Sequence, residues 1–165
     1  MVHGQVRAPM LDLANRELID SHLQAVWLAC TEEPLDSSIA ELLVLPDLAR
    51  PLRPNLRGAL SRPVVTDEAV SRMTRVLAMV EGELTKESAR WYTGRDTYAR
   101  AIAEGALARF EAAFDRWRHL FRSAEDQRDA ADRVVRDHAA PAVEKRAAKG
   151  RWLQAIEQLE LLQQG

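Results

Sequence analysis

Apolar residues recur at helical spacing along almost the whole chain, and the expected elements follow from that rhythm. Leu18, His22, Val26 and Cys30 fall four apart, and Ile19, Leu23 and Trp27 form a parallel row that widens the stripe. Asn15 precedes the stripe and can accept a bond from a free amide, while Glu17 suits the positive end of a helix dipole. Pro34 stands past the far end, where helices stop. A first helix is therefore expected from near Asn15 to just before Pro34, and a short second one over Ser38 to Leu43, capped by Asp36 or Ser37.

Then the texture changes. Pro46, Pro51, Pro54, Gly58 and Pro63 punctuate residues 45–65. Each proline removes a donor and disfavours helix for its predecessor, so this stretch reads as an irregular connector with one turn of helix at most. Leu45, Leu48, Leu52, Leu56 and Leu60 imply that it packs down against the rest of the chain.

Thr66-Asp67-Glu68 is a strong helix start, a capping hydroxyl followed by two acids. Behind it Val70, Met73, Leu77, Val80 and Leu84 alternate at three and four. Gly82 weakens that helix, Thr85 opens a new turn, and Trp91, Tyr92 and Gly94 mark another connector. From Asp96 the pattern predicts one helix to about His138, which would extend about 60 Å. Phe110, Phe114, Trp117 and Phe121 are its strongest face. Ala140-Pro141 interrupts it, and Pro141 is placed to open a last helix to about Gln163 with Trp152, Ile156, Leu159 and Leu162 as its stripe. Two amphipathic helices joined by a short break fold back as an antiparallel hairpin. The expected fold class is all-α: an irregular helical subdomain over 1–95 with the connector at 45–65, then a long, coiled-coil-like hairpin over 96–165.

Composition narrows the function. The chain has 165 residues with 47% hydrophobic, enough for a sizeable core. A formal charge of −2 gives no global basic field for nucleic acid, though a local one is allowed. One cysteine, Cys30, excludes an intramolecular disulfide and fits a reducing cytoplasm. Met1 to Leu13 lacks the apolar run of a signal peptide, and no apolar stretch reaches the ~20 residues of a membrane span.

The chemistry-bearing patterns are mostly negative. No G-x-x-x-x-G-K-[ST] loop occurs, so the sequence holds no phosphate-loop motor. His3, His22, His119 and His138 lie far apart without zinc-binding spacing, and no metal site or cofactor site is expected. His22 reads first as a helix-interface histidine, with a ligand or switch as the alternative. Cys30 has no base nearby in sequence and reads as a buried thiol. Glu125, Asp126, Asp129 and Asp132 interleave with Arg122, Arg128, Arg133 and Arg136 as a solvated face of exchangeable ion pairs. The aromatic row from Phe110 to Phe121 could stack bases, but its heptad spacing favours a core seam. Trp27 and Trp152 read first as core or interface anchors. Arg50, Arg53, Arg57 and Arg62 are the candidate site: four arginines in a proline-broken connector with no acid between Asp47 and Asp67. Their forks suit DNA phosphate oxygens, and the alternative is pairing with acids on neighbouring helices.

Two stretches resemble a known family. Leu11-Asp12-Leu13-Ala14-Asn15-x-x-Leu18-x-x-Ser21-His22-x-x-Ala25-Val26-Trp27-Leu28, and Trp91-Tyr92 followed by Phe114-Asp115-Arg116-Trp117-Arg118-x-Leu120-Phe121-Arg122, are similar to the C-terminal part of the large helicase subunit of DISARM-type phage-defence systems. The ending, Lys145-Arg146-Ala147-Ala148-Lys149 before a Leu-rich helix, is similar too, and the likeness runs from about Pro9 to Leu162. Asp12, Asn15, His22, Trp27 and Trp117 are the motif positions, with no assigned role. The family resembles superfamily 2 helicases, which use ATP and magnesium to act on DNA beside a partner subunit and a DNA methylase. Its nucleotide-binding motifs lie upstream of the matching region, so no ATP or magnesium residue transfers. The resemblance implies a cytoplasmic, non-enzymatic accessory segment that follows a motor and shapes DNA contact or partner docking. It is also consistent with a split gene, a fragment or an independent small protein. The alternative is a standalone helical module that dimerises through the hairpin.

Overall fold

The computed structural model describes residues 15–84 and 89–164. Among them the chain is all-α, running α1 (Arg16–Thr31), α2 (Ile39–Leu42), α3 (Pro54–Leu60), α4 (Pro63–Leu84), α5 (Arg95–Glu104), α6 (Ala106–Ala112), α7 (Asp115–Arg136) and α8 (Ala142–Gln164). The helices group into two compact units that interleave in sequence: residues 1–32 with 61–106, and residues 33–60 with 107–165.

In the first unit, Asn15 caps α1 as its sequence implies, its Oδ1 accepting from the amides of Glu17 (3.0 Å) and Leu18 (3.3 Å). The buried row of α1 is Ile19, Leu23, Trp27 and Cys30. Leu18 and His22 are exposed, so the interface role expected for His22 is not where it sits. The helix expected to start at Thr66 starts at Pro63, whose missing amide hydrogen costs nothing in a first turn. It then passes unbroken through Gly82 to Leu84, because Ala69, Met73 and Leu77 are fully buried and packing outweighs the glycine. The new turn expected at Thr85 lies outside the described residues. α5 closes the core with Tyr98, Ala99, Ile102 and Ala103. Gly94 leads into α5 with a φ of 93°, a backbone that a side chain would strain.

In the second unit, the 45–65 stretch is more ordered than its prolines suggest. Leu43 and Leu52 form an isolated antiparallel bridge, flanked by amide bonds from Val44 to Pro51 (2.9 Å) and from Arg53 to Leu42 (2.9 Å). Pro54 then opens α3, burying Leu56 and Leu60, while Leu48 is 83% exposed. The cap of α2 is Ser38, not Asp36 or Ser37.

The single helix expected over 96–138 is broken twice. α5 stops at Gly105, and Ala113 and Phe114 bond back three residues to Phe110 and Glu111, a tightened turn that ends α6. α7 and α8 then pack antiparallel, with the Trp117 indole of one reaching Leu162 of the other at 3.0 Å. Trp117, Phe121 and Leu159 fill one end of that seam, and Ala124, Ala131, Ala148 and Ala155 continue it, all buried. Small residues let the two helices approach closely. Of the aromatic row, Trp117 and Phe121 belong to this seam, Phe114 is buried in the turn before α7, and Phe110 is half-buried in α6.

Candidate nucleic-acid interface and docking groove

The candidate arginines separate once placed. Arg50 is 3% exposed, its φ is 45°, and it is the loop's anchor. Its guanidinium pairs with Glu125 of α7 and lies 4.8 Å over the Phe121 ring. Its Nε has no partner. α7 returns the contact: Arg118 Nε donates to the Arg50 carbonyl (3.0 Å) and Arg122 to the Leu48 carbonyl (3.1 Å). Asp47 shapes the turn itself, its Oδ1 accepting from Ala49 N at 2.8 Å. Loop and helix are therefore clasped from both sides, and Glu125 belongs to this clasp as well as to the charged face of α7.

Arg53 stands immediately before α3 and Arg57 in its middle, four apart and both exposed. Arg57 pairs with Glu111 at 2.9 Å while remaining 59% exposed, an exchangeable contact. Arg62 lies in the other unit, where it donates to the Thr31 carbonyl at 3.2 Å. The four arginines thus comprise one buried anchor, two exposed cations at and just before α3, and one residue engaged elsewhere.

Of the family-motif positions, Asn15 is a helix cap, Trp27 is 1% exposed in the core, and Trp117 is the seam aromatic. His22 is exposed on α1, and Asp12 lies outside the described residues. Cys30 is buried, and burial pushes its thiol above the ordinary range, partly offset by Arg72. Tyr92 and Tyr98 are both pushed up to about 12, first by burial and then by the carboxylates they bond, Glu81 and Asp20. Trp91 joins them in a three-ring cluster, 5.2 Å from the Tyr98 ring and 6.2 Å from Tyr92, with the two tyrosine rings 5.9 Å apart. Among the described residues no three His, Cys, Asp or Glu side chains gather as a metal site, and no helix is long and apolar enough to cross a membrane.

The sequence reading did not single out a groove between α1 and α4. One part, about 270 Å³, is lined by Leu18, His22, Val76, Met79 and Val80, with Ile19, Leu23 and Leu77 behind. The next, about 530 Å³, runs on past Val26 and Ala29 to Glu68, Arg72 and Arg75. The available signal was the row of Leu18, His22 and Val26, which sets two more apolar positions beside an already complete buried row.

Comparison with models of protein families, with curated proteins and with solved structures finds no match.

Proposed function

We propose that this chain is an accessory segment of a DNA-acting, ATP-dependent helicase of the phage-defence type it resembles. In this reading it touches the DNA backbone through Arg53 and Arg57 and leaves nucleotide hydrolysis to a motor region that it docks with. The observation that carries the DNA half is the clasp between Arg50 and α7. It holds the connector in place and leaves two arginines exposed to solvent, Arg53 just before α3 and Arg57 within it. Guanidinium groups on a fixed backbone lose little freedom when they meet phosphate oxygens.

The test is a titration of fluorescein-labelled DNA at several salt concentrations. Two phosphate contacts give a log–log salt slope of about −2, and Arg53→Glu with Arg57→Glu abolishes binding. DNA whose anisotropy stays flat at the lowest salt sinks this reading.

A second reading has its own support. Val143, Leu153 and Leu161 of α8 are 78%, 53% and 64% exposed, which favours a helical module that self-associates. Light scattering separates the two: a dimer lost on Leu153→Glu plus Leu161→Glu, with no DNA binding, supports the second.

A further inference from the structure

The far end of the α7–α8 hairpin gathers positive charge that the fold does not use. Lys145, Arg146, Lys149 and Arg151 crowd the first half of α8, and all but Lys145 are fully exposed. None of the four forms an ion pair among the described residues. Spacing explains this on their own helix, since no acid stands three or four positions from any of them. Acids do border this end, but each has other work or is outnumbered. On α7, Asp129 is paired with Arg128 and Asp132 with Arg136, both at 2.7 Å. Asp137 accepts from Ala139 N at 2.8 Å, and Glu144 sits in the first turn of α8. Over residues 128–151, seven Lys and Arg thus face four acids, an excess of three. The arrangement also works against the helix. Lys149 stands four from Lys145 and three from Arg146, so like charges are neighbours. The cations occupy the end where the dipole is positive, while Glu157 and Glu160 lie toward the other.

We infer that the tip of the hairpin is a second contact for the nucleic-acid backbone, made by Lys145, Arg146 and Lys149. Their spacing sets these three on one side of α8, whereas Arg151 lies on the other side. Small exposed residues, Ala147 and Gly150, separate them, and the space beside Gly150 is open. A chain of phosphates therefore reaches the cations without a bulky side chain in its way. The contact is to phosphate and carries no base readout. The inference rests on the DNA half of the proposed function and extends it along the same unit. Arg118 at the start of α7 holds the loop that leads to α3, and Arg136 lies near the tip. The helix rises about 27 Å between them, so a duplex must run about eight base pairs to meet both contacts.

The experiment uses the full chain and two fluorescein-labelled DNAs, a duplex of about 30 base pairs and a hairpin with a stem of about six, some 20 Å long. The short stem cannot reach both contacts, so its log–log salt slope is expected near −2, and the long duplex near −4.5. Lys145→Gln, Arg146→Gln and Lys149→Gln together bring the long-duplex slope back to about −2 and leave the short stem unchanged. The same triple variant keeps or raises the urea midpoint, because it removes like-charge neighbours. Equal slopes on the two DNAs, or a long-duplex slope that the triple variant leaves alone, overturns the proposal while the Arg53 and Arg57 contact stands. A lower urea midpoint also overturns it, since the cations would then hold the hairpin through Asp129 and Asp132. So does a triple variant that loses phosphatidylserine vesicles but keeps the DNA slope, which would make the tip a membrane contact. Long-duplex binding that survives Arg53→Glu with Arg57→Glu and is lost in the triple variant supports the tip and sinks the α3 contact alone.

Discussion

Arg50 and Glu125 form an ion pair between the proline-punctuated loop and the middle of α7, with the arginine almost wholly inside and the carboxylate partly open to solvent. The arginine holds a left-handed backbone to get there, which costs a non-glycine residue roughly 1 kcal/mol. Its side chain therefore outweighs its backbone strain. Arg50→Gly removes the strain and should still destabilise. Arg50→Met should lower stability by about 3 kcal/mol, because it leaves the Glu125 charge without its partner. Arg50→Met combined with Glu125→Leu should recover much of that loss. Urea unfolding of the three variants checks this, and independent, additive losses would refute the clasp.

The chain has two tyrosines, and both hydroxyls face carboxylates: Tyr92 bonds Glu81 at 3.2 Å, and Tyr98 bonds Asp20. Each phenol is held protonated up to about 12 in the folded chain, above its ordinary value near 10. The folded state therefore binds these protons more tightly than the unfolded one. Their contribution is complete below about pH 10 and drains away as pH rises through about 12. Spectrophotometric titration of native protein should show no tyrosinate until well past pH 10, and the urea midpoint should fall over the same window. Tyr98→Phe should lower stability by about 1–2 kcal/mol and flatten that dependence.

Much of the fold was legible because helical period and capping are local. Asn15, the stripe of α4 and the Pro141 break are each set by neighbours within a few residues. What escaped was set at a distance. Nothing local to Phe114 predicts that the chain tightens there. Arg50 differs from Arg53 and Arg57 only through Glu125 and Phe121, far along the sequence. Four arginines in an acid-free stretch look alike until the fold shows which one is inside. The α1 stripe had the same ambiguity, since its six apolar positions and His22 cover more surface than α4 and α5 bury.

Cys30 is the only thiol, and burial raises its pKa while Arg72 nearby draws it down. At pH 8 the native thiol should stay protonated and shielded, so a disulfide reagent such as DTNB should label it slowly. Unfolding in urea should speed labelling by more than about tenfold, because the exposed thiol ionises freely. Native labelling as fast as that of a free thiol would contradict the packing of Cys30 against α4.

The C-terminal end of α8 is capped by a side chain of α7 and by the residue that caps α2, both of its own unit. Carbonyls in the last turn of a helix have no partner within it. Here Trp117 Nε1 donates to the Leu162 carbonyl at 3.0 Å, and Ser38 Oγ donates to the Gln163 carbonyl at 2.6 Å. Ser38 is doubly used, since the same oxygen accepts from Ala40 N at 3.2 Å as the cap of α2. Trp117→Phe keeps a ring against Phe121 but loses one bond, and should lower stability by about 1 kcal/mol. Ser38→Ala loses a cap and a bond together, and should cost about 2 kcal/mol. Ser38→Asp is the discriminating variant. It can still cap α2, but it sets a carboxylate against the Gln163 carbonyl, so α8 should fray while α2 holds. Hydrogen exchange read residue by residue would then show protection lost over the last turn of α8 alone. Unchanged exchange there would mean that the helix end is held by something other than these two donors.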